Sequence, residues 1–248
     1  MQVAALYDIH GNLPALEAVL QNVREAAVDL VVVGGDVLPG PMQRETLTCL
    51  LDLDVPVRFI QGNCEVAVLA QLAGADSGGL PGQAREAVRW SAQQLHPEHE
   101  RLVAGWPKTF RVEIGGLGDV LFCHATPRNE NECFTRVTAE DRLRPIFEGV
   151  NAALVVCGHT HMQFDRMVGS TRVVNAGSVG MPFGEPGADW LLLGPDVRLR
   201  HTSYDLAKAA ERIRATSYPQ ARDFAERHVL QPPSEGEMLH VFTQGELR

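Results

Sequence analysis

The sequence is short of basic residues, and this shortage excludes one large class of function. Lysine and arginine number 22 against 31 aspartates and glutamates, which gives a formal net charge of -9 at pH 7. A protein whose main task is to neutralise a nucleic-acid backbone carries an excess of basic residues instead. We therefore expect no stable complex with nucleic acid.

The sequence also lacks a long apolar run near its start and closely spaced pairs of cysteines. The first apolar run, 2–7, follows no basic stretch and is far too short for a signal or membrane helix. An odd number of cysteines without CxxC spacing indicates free thiols; these are Cys49, Cys64, Cys123, Cys133 and Cys157. We expect a cytoplasmic protein without membrane contact, and a homo-oligomer is compatible with this composition.

No internal repeat or low-complexity segment interrupts the chain. At 248 residues and 45% hydrophobic composition, the chain can bury a full core. The segment 73–82 is rich in glycine like a linker, but the helical stretch after it, 83–105, cannot bury a core alone. We interpret the glycine-rich segment as a loop within one domain.

The first seventy residues alternate between short apolar runs and segments of helical periodicity. Strands are predicted over 2–7, 30–33 and 57–60, and helices over 13–27, 43–51 and 63–72. Strands that alternate with helices in this way indicate a parallel sheet with right-handed crossovers.

From residue 110 the pattern changes to closely spaced short strands. These are predicted over 110–114, 120–123, 153–157, 164–168, 171–174, 190–193 and 197–200, with a helix over 139–147. A second sheet packed on the first, with helices outside, accommodates both halves. The tail is predicted to be helical over 205–229 with a break at Pro219, and Pro232 and Pro233 to start a polar end. We divide the chain into a main domain, 1–200, and a helical extension packed on it, 201–248.

Metal-ligand side chains follow the predicted strands in five short segments. They are Asp8 and His10 in DIHGN, Asp36 in GGD, Asn63 in GNCE, His124 in CHA, and His159 and His161 in GHTH. Carboxylate and amide oxygens mixed with imidazoles suit transition metals, and a two-metal site needs about this many ligands. Open α/β sheets place their ligands at the carboxyl ends of strands. The sequence therefore predicts a site for two metal ions.

Each segment taken alone has a simpler interpretation. An aspartate after a strand can be a turn former, and a lone histidine is more often a hydrogen-bonded core residue. Asn12 and Asn63 are both well placed to cap the helix that follows them. The joint occurrence of all seven residues after predicted strands favours the metal site.

The motifs between Asp8 and His161 resemble the calcineurin-like metallophosphoesterase family and its small prokaryotic phosphodiesterases, in the order D-x-H, G-D, G-N, H and G-H-x-H. The resemblance implies a four-layer αββα sandwich of two mixed β-sheets flanked by helices. It also implies two divalent transition-metal ions, with Mn, Fe, Zn and Ni all compatible with the ligands. One ion would be held by Asp8, His10 and His161, the other by Asn63, His124 and His159, with Asp36 bridging.

The activity implied by this resemblance is hydrolysis of small phosphate esters by a metal-bridging hydroxide that attacks phosphorus in line. The resemblance assigns Asn12 to a hydrogen bond with a phosphate oxygen. Arg128, in the polar loop after His124, is a candidate substrate contact. A nucleotide-like substrate is compatible with the acidic composition, because the ions supply positive charge locally.

The sequence departs from many members of the family beside Asn63. Those members, including the protein Ser/Thr phosphatases, have arginine before Gly-Asn and histidine after it, whereas this chain has Gln61 and Cys64. The histidine is the family's candidate for assisting the leaving group, and the small phosphodiesterases resemble this chain in having cysteine there. We therefore favour phosphodiesters and treat Cys64 as a catalytic candidate, with simple packing at a helix start as the alternative.

Two other functions remain open at this point. One is a protein phosphatase or nuclease of the same superfamily, against which the absent arginine and histidine, the small size and the acidic charge argue. The other is a noncatalytic, metal-free scaffold, against which the complete set of ligands argues. The glycine-rich turn 175–180 is predicted to shape the wall of the site, and its Ser178 lacks the GxSxG context of a catalytic serine.

Overall fold

A computed structural model describes residues 1–75 and 80–247. Within these ranges ten strands form: β1 Val3–Leu6, β2 Leu30–Val33, β3 Val57–Phe59, β4 Thr109–Ile114, β5 Gly118–Cys123, β6 Leu154–Cys157, β7 Phe164–Val168, β8 Thr171–Asn175, β9 Ala188–Leu193 and β10 Val197–Thr202. The α-helices are α1 Leu13–Glu25, α2 Gln43–Leu51, α3 Asn63–Leu72, α4 Gly82–Gln94, α5 Pro97–Ala104, α6 Glu140–Phe147, α7 Leu206–Arg214, α8 Ala221–Phe224 and α9 Glu235–Gln244. A π-helix, Ala225–Leu230, continues directly from α8.

The strands form two mixed sheets of five, as the sequence predicts. The first has the order β10-β9-β1-β2-β3, in which β1, β2 and β3 are parallel and β9 and β10 are antiparallel to their neighbours. The second has the order β4-β5-β6-β8-β7, with β5, β6 and β8 parallel between antiparallel edge strands. In both sheets the parallel strands therefore end at a common edge, where ligand residues can converge.

Alternate residues of β1 face two different cores, which explains why its sequence is apolar throughout. Val3 and Ala5 pack in the core between the two sheets, together with Phe122 of the second sheet. Ala4 and Leu6 pack against helix α1 on the outer face. Successive side chains of a strand point to opposite faces, so a strand buried on both sides needs a continuous apolar run.

A separate apolar cluster covers the outer face of the second sheet. Leu143, Ile146 and Phe147 of α6 pack there against Val155 of β6 and Val173 of β8. Helices thus flank a pair of facing sheets on both sides. The predicted four-layer αββα sandwich is confirmed.

The predicted element bounds agree closely with the structure in most places. The helices predicted over 43–51 and 63–72 are observed unchanged, and most strands begin or end within one or two residues of their predicted limits. The stretch 83–105 is two helices, because Leu95 leaves helical geometry and Pro97 occupies the first turn of α5. The predicted loop 73–82 lies partly outside the described residues.

Helix α9 forms after Pro232 and Pro233, within the range 201–248 of the predicted helical extension. Ser234 caps this helix, and Glu237 returns a hydrogen bond to the Ser234 backbone. This reciprocal pair is a capping box, whose S-x-x-E pattern is present in the sequence. This pattern therefore indicates the start of α9 in the sequence, directly after the two prolines.

The C-terminal helices pack on the rest of the chain through a fourth apolar cluster. Ile213 of α7, Phe224 of α8 and Val229 of the π-helix share this cluster with Ala87 of α4. The predicted domain boundary at residue 200 falls inside β10, and the division of the chain into two parts stays a prediction. Among the described helices, none combines the length and apolarity that a membrane crossing requires.

Replacing Gly34 with alanine is expected to destabilise the fold strongly. An added Cβ would overlap the ring of Tyr7, which is fully buried and donates a hydrogen bond to the Val156 carbonyl of the second sheet over 3.1 Å. Because overpacking a rigid core typically costs about 1–3 kcal/mol, the free energy of unfolding in denaturant should fall by at least this amount. Gly115→Ala is the control, since its Cβ meets nothing within 4 Å. Equal stability of the two variants would contradict this view of the packing between the sheets.

Candidate metal centre

The structure brings all seven predicted ligand residues to one edge of the paired sheets. Asp8 follows β1, Asp36 follows β2, and Asn63 begins α3 shortly after β3. His124 follows β5, and His159 and His161 follow β6. The parallel strands of both sheets therefore deliver their terminal residues to the same place.

Asp8, His10 and His161 form one group of donor atoms. Asp8 Oδ1 lies 3.3 Å from His161 Nε2 and 4.0 Å from His10 Nε2. The two imidazole Nε2 atoms are themselves 3.3 Å apart. Asp8 is fully buried, yet its Oδ1 accepts no hydrogen bond. A buried carboxylate oxygen without a hydrogen-bond donor, facing two imidazoles, fits a cation that all three residues bind.

Asp36, His124, His159 and Asn63 form the second group. Asp36 Oδ2 lies 3.5 Å from His124 Nε2, and one ligand atom from each of Asp36, His124 and His159 falls within 4.8 Å of the others. Asn63 Oδ1 is 2.9 Å from the same His124 nitrogen. Asp36 Oδ2 is also 3.8 Å from His10 Nε2, so this carboxylate lies between the two groups.

Two of the histidines are oriented by backbone carbonyls behind them. His124 Nδ1 is 2.9 Å from the Gly34 carbonyl oxygen, and His161 Nδ1 is 2.9 Å from the Met181 carbonyl oxygen. Each contact assigns the proton to Nδ1 and leaves the Nε2 lone pair directed at the cluster. Metal-binding histidines are usually held by this type of contact.

Most of the predicted ligands have left-handed backbone geometry. Among the described residues, positive φ is found at only seven non-glycine positions, and five of them are predicted ligands: Asp8 (53°), His10 (47°), Asp36 (53°), His159 (67°) and His161 (55°). Such conformations cost on the order of 1 kcal/mol or more each, although aspartate and histidine tolerate them better than most residues. Each ligand has this geometry where the chain turns out of its strand, so the turn aims the side chain into the cluster.

Glycines next to the carboxylates leave room for them. A Cβ at Gly62 would overlap Asp36 Oδ1, and a Cβ at Gly158 would overlap Asp8 Oδ2. Without side chains at these positions the backbone approaches both carboxylates closely. Cys64 N donates to Asp36 Oδ1 over 2.9 Å, and His159 N donates to Asp8 Oδ2 over 2.8 Å. The glycines of the GN and GH motifs are therefore needed for the position of the carboxylates.

The carboxylates of the cluster and the imidazoles that face them shift one another's pKa values even without a metal ion. Burial by itself would raise the pKa of Asp8, but the facing imidazoles of His161 and His124 hold this pKa well below its ordinary value. Burial would lower the pKa of His124 and His161, whereas the neighbouring Asp8 and Asp36 carboxylates raise both. Burial lowers the pKa of His159 to about 4, so this imidazole is neutral and able to bind a metal at neutral pH.

Glu65 is a structural residue of the site to which the sequence analysis assigned no role. It is fully buried, and its Oε2 accepts hydrogen bonds from Asp36 N and Gly62 N over 2.8 Å each. Its Oε1 accepts from Val37 N and Leu38 N over 2.8 and 3.2 Å. Burial and the nearby Asp36 carboxylate raise the pKa of Glu65 to about 7. Glutamate at the third position of a helix that follows Gly-Asn was the available signal, because it can return to cap the helix start.

Asn12 caps helix α1, as its position in the sequence suggests. Its Oδ1 accepts a hydrogen bond from Ala15 N over 3.3 Å, and its Nδ2 donates to the Gly180 carbonyl over 2.8 Å. The side chain is fully buried. Its Nδ2 also donates to the Tyr204 hydroxyl over 3.4 Å. The hydrogen bond from Asn12 to a phosphate oxygen stays a prediction.

The other predicted substrate contact, Arg128, is paired with an acidic residue. Its guanidinium donates to Glu132 Oε1 over 2.6 Å, while about half of its side chain is exposed. Thr126 Oγ1 donates to the same carboxylate over 2.6 Å. Arg128 is therefore held in place within its loop, and its contact with substrate stays a prediction.

The turn after β8 supports the site from behind. Ser178 Oγ donates to the Asp8 carbonyl over 2.7 Å and accepts from Met181 N over 2.8 Å. Asn175 Nδ2 donates to the Gly158 carbonyl over 2.6 Å. These contacts connect the D-x-H and G-H-x-H segments through backbone atoms, in agreement with the predicted wall.

Known proteins resemble this chain over most of its length. The family model described as the calcineurin-like phosphoesterase superfamily domain matches residues 1–194. The uncharacterized protein MJ0912 of Methanocaldococcus jannaschii is 24% identical over 238 residues, covering 88% of this chain and 94% of that protein.

Two solved structures resemble the fold closely. The hypothetical protein PH1004 of Pyrococcus horikoshii OT3 has a TM-score of 0.78 at 19% identity, covering 94% of this chain and 99% of that one. A metallophosphoesterase from Sphaerobacter thermophilus has a TM-score of 0.71 at 24% identity, covering 92% of this chain and 97% of that one. These likenesses concern the fold, and they agree with the architecture described above.

Glu65→Gln is expected to destabilise the protein even without metal. The amide nitrogen of glutamine cannot accept hydrogen bonds, so two of the four backbone donors around Glu65 would lose their acceptor. Each buried donor left unpaired costs about 1–3 kcal/mol, so unfolding in denaturant with excess chelator should show a loss of about 2–6 kcal/mol. Glu113→Gln, exposed on β4, is the control and should change stability by less than about 0.5 kcal/mol. Unchanged stability of the Glu65→Gln variant would show that this carboxylate does not hold the Asp36 segment.

Proposed function

Because the chain belongs to the calcineurin-like phosphoesterase superfamily, we propose that it is a hydrolase of small phosphodiesters that uses two divalent metal ions. The observation that supports this most directly is the pair of donor groups around Asp8 and Asp36. One group offers Asp8, His10 and His161, and the other offers Asp36, His124 and His159. A third set of donors, His10, Asp36 and Cys64, shares one residue with each of these groups. Two adjacent groups of mixed oxygen and nitrogen donors are the ligand set of a two-metal centre.

The chain's own residues have distinct parts in this proposal. When bound, two divalent ions supply Lewis-acid charge and a water nucleophile of lowered pKa. Asp36 bridges the donor groups, since its Oδ2 faces imidazoles of both, while Cys64 N fixes its Oδ1. Asn63 adds a neutral oxygen, so the donor set carries only the two negative charges of Asp8 and Asp36. Mn, Fe, Zn and Ni all suit these ligands.

The preference for diesters follows from what replaces the family's arginine and histidine. Gln61 Nε2 donates to the Val103 carbonyl over 3.0 Å, so this side chain is engaged with the end of α5 instead of a phosphate. Burial, with Asp36 and Glu65 nearby, raises the pKa of the Cys64 thiol well above its ordinary value. An uncharged thiol neither neutralises the extra charge of a monoester nor readily protonates a poor leaving group.

The two alternatives have less support. A protein phosphatase or nuclease would need positive groups near the metal centre, and Arg128 is already paired with Glu132. A metal-free scaffold would have no use for the unbonded buried oxygen of Asp8 or for five ligands in left-handed geometry. Catalysis by bound metal accounts for both features.

Asp36→Asn is expected to abolish most of the activity and reduce the metal content. Even the residues behind metal ligands are typically worth about 10–100-fold in metal affinity or activity, so removal of the proposed bridging carboxylate should lower kcat/KM by about 100-fold or more. Elemental analysis and hydrolysis of bis(p-nitrophenyl) phosphate measure the two effects. Asp54→Asn, exposed in the loop before β3, is the control. Full metal content and full turnover in Asp36→Asn would rule out the proposed centre.

We expect faster hydrolysis of an aryl phosphodiester than of an alkyl phosphomonoester at saturating metal. The reason is the absence of arginine and histidine beside Asn63. The measurement is kcat/KM for both substrates with the same preparation. A clear preference for the alkyl monoester would contradict the assignment.

Cys64→His tests the reason for this preference. A positioned general acid contributes about 10²–10⁴ in rate when the leaving group needs a proton, so turnover of the alkyl ester should rise by about tenfold or more. Activated aryl esters should change little. Equal behaviour of parent and variant on both substrates, with metal content verified, would leave Cys64 as a packing residue.

A further inference from the structure

The C-terminal segment outside the family-matched range lines a cavity beside the metal centre. The cavity has a volume of about 210 Å³, and its lining includes His10 of the first donor group, Ala84 of α4, and Tyr218, Asp223 and His228. The match to the family ends at residue 194. The wall opposite α4 is therefore built by a part of the chain that the family model does not include.

Aromatic rings form most of this C-terminal wall. The rings of Tyr218 and Phe224 meet edge to face with centroids 6.2 Å apart, and those of Phe224 and His228 are 5.3 Å apart. The ring of Trp90 of α4 also contacts the Tyr218 ring edge to face, with centroids 5.2 Å apart. Tyr218 and Phe224 are almost fully buried, so the wall is held rigidly in the fourth apolar cluster. A rigid aromatic wall suits a flat ring.

The polar groups of the cavity are able to form hydrogen bonds with an uncharged guest. His228 lines the cavity and belongs to the π-helix, a geometry frequent at functional sites. Asp223 and Gln83 also line the cavity. Among the described lining residues there is no lysine or arginine. The cavity therefore offers acceptors and donors without positive charge, which disfavours a second phosphate group.

The position of the cavity relates it to the reaction. His10 lines it, and so does Met181, whose backbone carbonyl orients His161. A phosphate bound at the metal centre would thus project one ester substituent towards the aromatic wall. A cavity of about 210 Å³ has room for one ring of a substrate beside the metal centre.

We propose that this cavity binds the base of a nucleoside phosphodiester, an inference that rests on the proposed phosphodiesterase function. Tyr218 and Phe224 provide the apolar wall for the ring. Asp223 and Gln83 provide hydrogen-bonding partners for its edge. The C-terminal segment is then the part of the chain that selects the substrate, while the metal centre performs the hydrolysis.

The test compares two cyclic diesters with the metal-loaded enzyme. Adenosine 2′,3′-cyclic phosphate carries the nucleoside, and ethylene phosphate presents a similar strained ring without it. In Ala84→Leu the larger side chain fills part of the cavity, and in His228→Ala an imidazole that lines the cavity beside the aromatic wall is lost. Both variants should lower the ratio of kcat/KM for the adenosine ester to that for ethylene phosphate by about tenfold or more. Arg222→Gln, exposed on α8 and outside the cavity, is the control and should leave this ratio unchanged.

The outcomes distinguish failure of the cavity assignment from failure of the proposed phosphodiesterase function. An unchanged ratio in both cavity variants, with thermal unfolding like that of the parent, would overturn the assignment of the cavity while leaving the phosphodiesterase function in place. If the parent hydrolyses neither ester with metal bound, the proposed function fails instead. Calorimetric binding of adenosine 2′,3′-cyclic phosphate then still decides the inference: weaker binding by Ala84→Leu supports it, and equal binding by parent and variant refutes it.

Discussion

Two buried carboxylates, Asp8 and Asp36, are the constraint on which the rest of this site depends. They follow the neighbouring parallel strands β1 and β2, whose paired residues Leu6 and Val33 lie just before them. Neither side chain reaches solvent appreciably, at 0% and 2% exposure. A buried negative charge is tolerated only when it is paired or bound to metal, so each carboxylate requires compensation nearby. The imidazoles of both sheets supply part of it, and the proposed ions supply the rest.

Several less favourable features of the fold follow from this requirement. Three of these features help to place the two carboxylates. They are the left-handed backbone at five predicted ligands, the glycines at which any side chain would clash, and the buried Glu65. Glu65 collects four backbone donors of the Asp36 segment and so fixes the loop after β2. Strain and buried charge of this type are concentrated at functional sites, where the surrounding core maintains them.

The sequence predicted the features that depend on local pattern. Apolar runs buried on both faces predicted the strands, and motif position relative to those strands predicted which side chains would meet. Glu65 was missed because the local pattern indicates only a helix cap, whereas its contacts with the Asp36 segment, almost thirty residues earlier, depend on the fold. The position of helix α9 within the helical extension was not predicted, because two prolines outweighed the capping box that follows them. The cavity wall at Tyr218 and His228 was unpredictable, since only the packing of the tail on α4 brings it to His10.

The central claim is that the two donor groups hold a pair of ions with Asp36 between them. Crystals grown with manganese and measured on both sides of its absorption edge test this most directly, because the anomalous difference map locates each ion independently of activity. The account predicts two peaks about 3.5–4 Å apart, the spacing of two-metal centres, one near Asp8 and one near His124. A single peak, or none at saturating manganese, would contradict it.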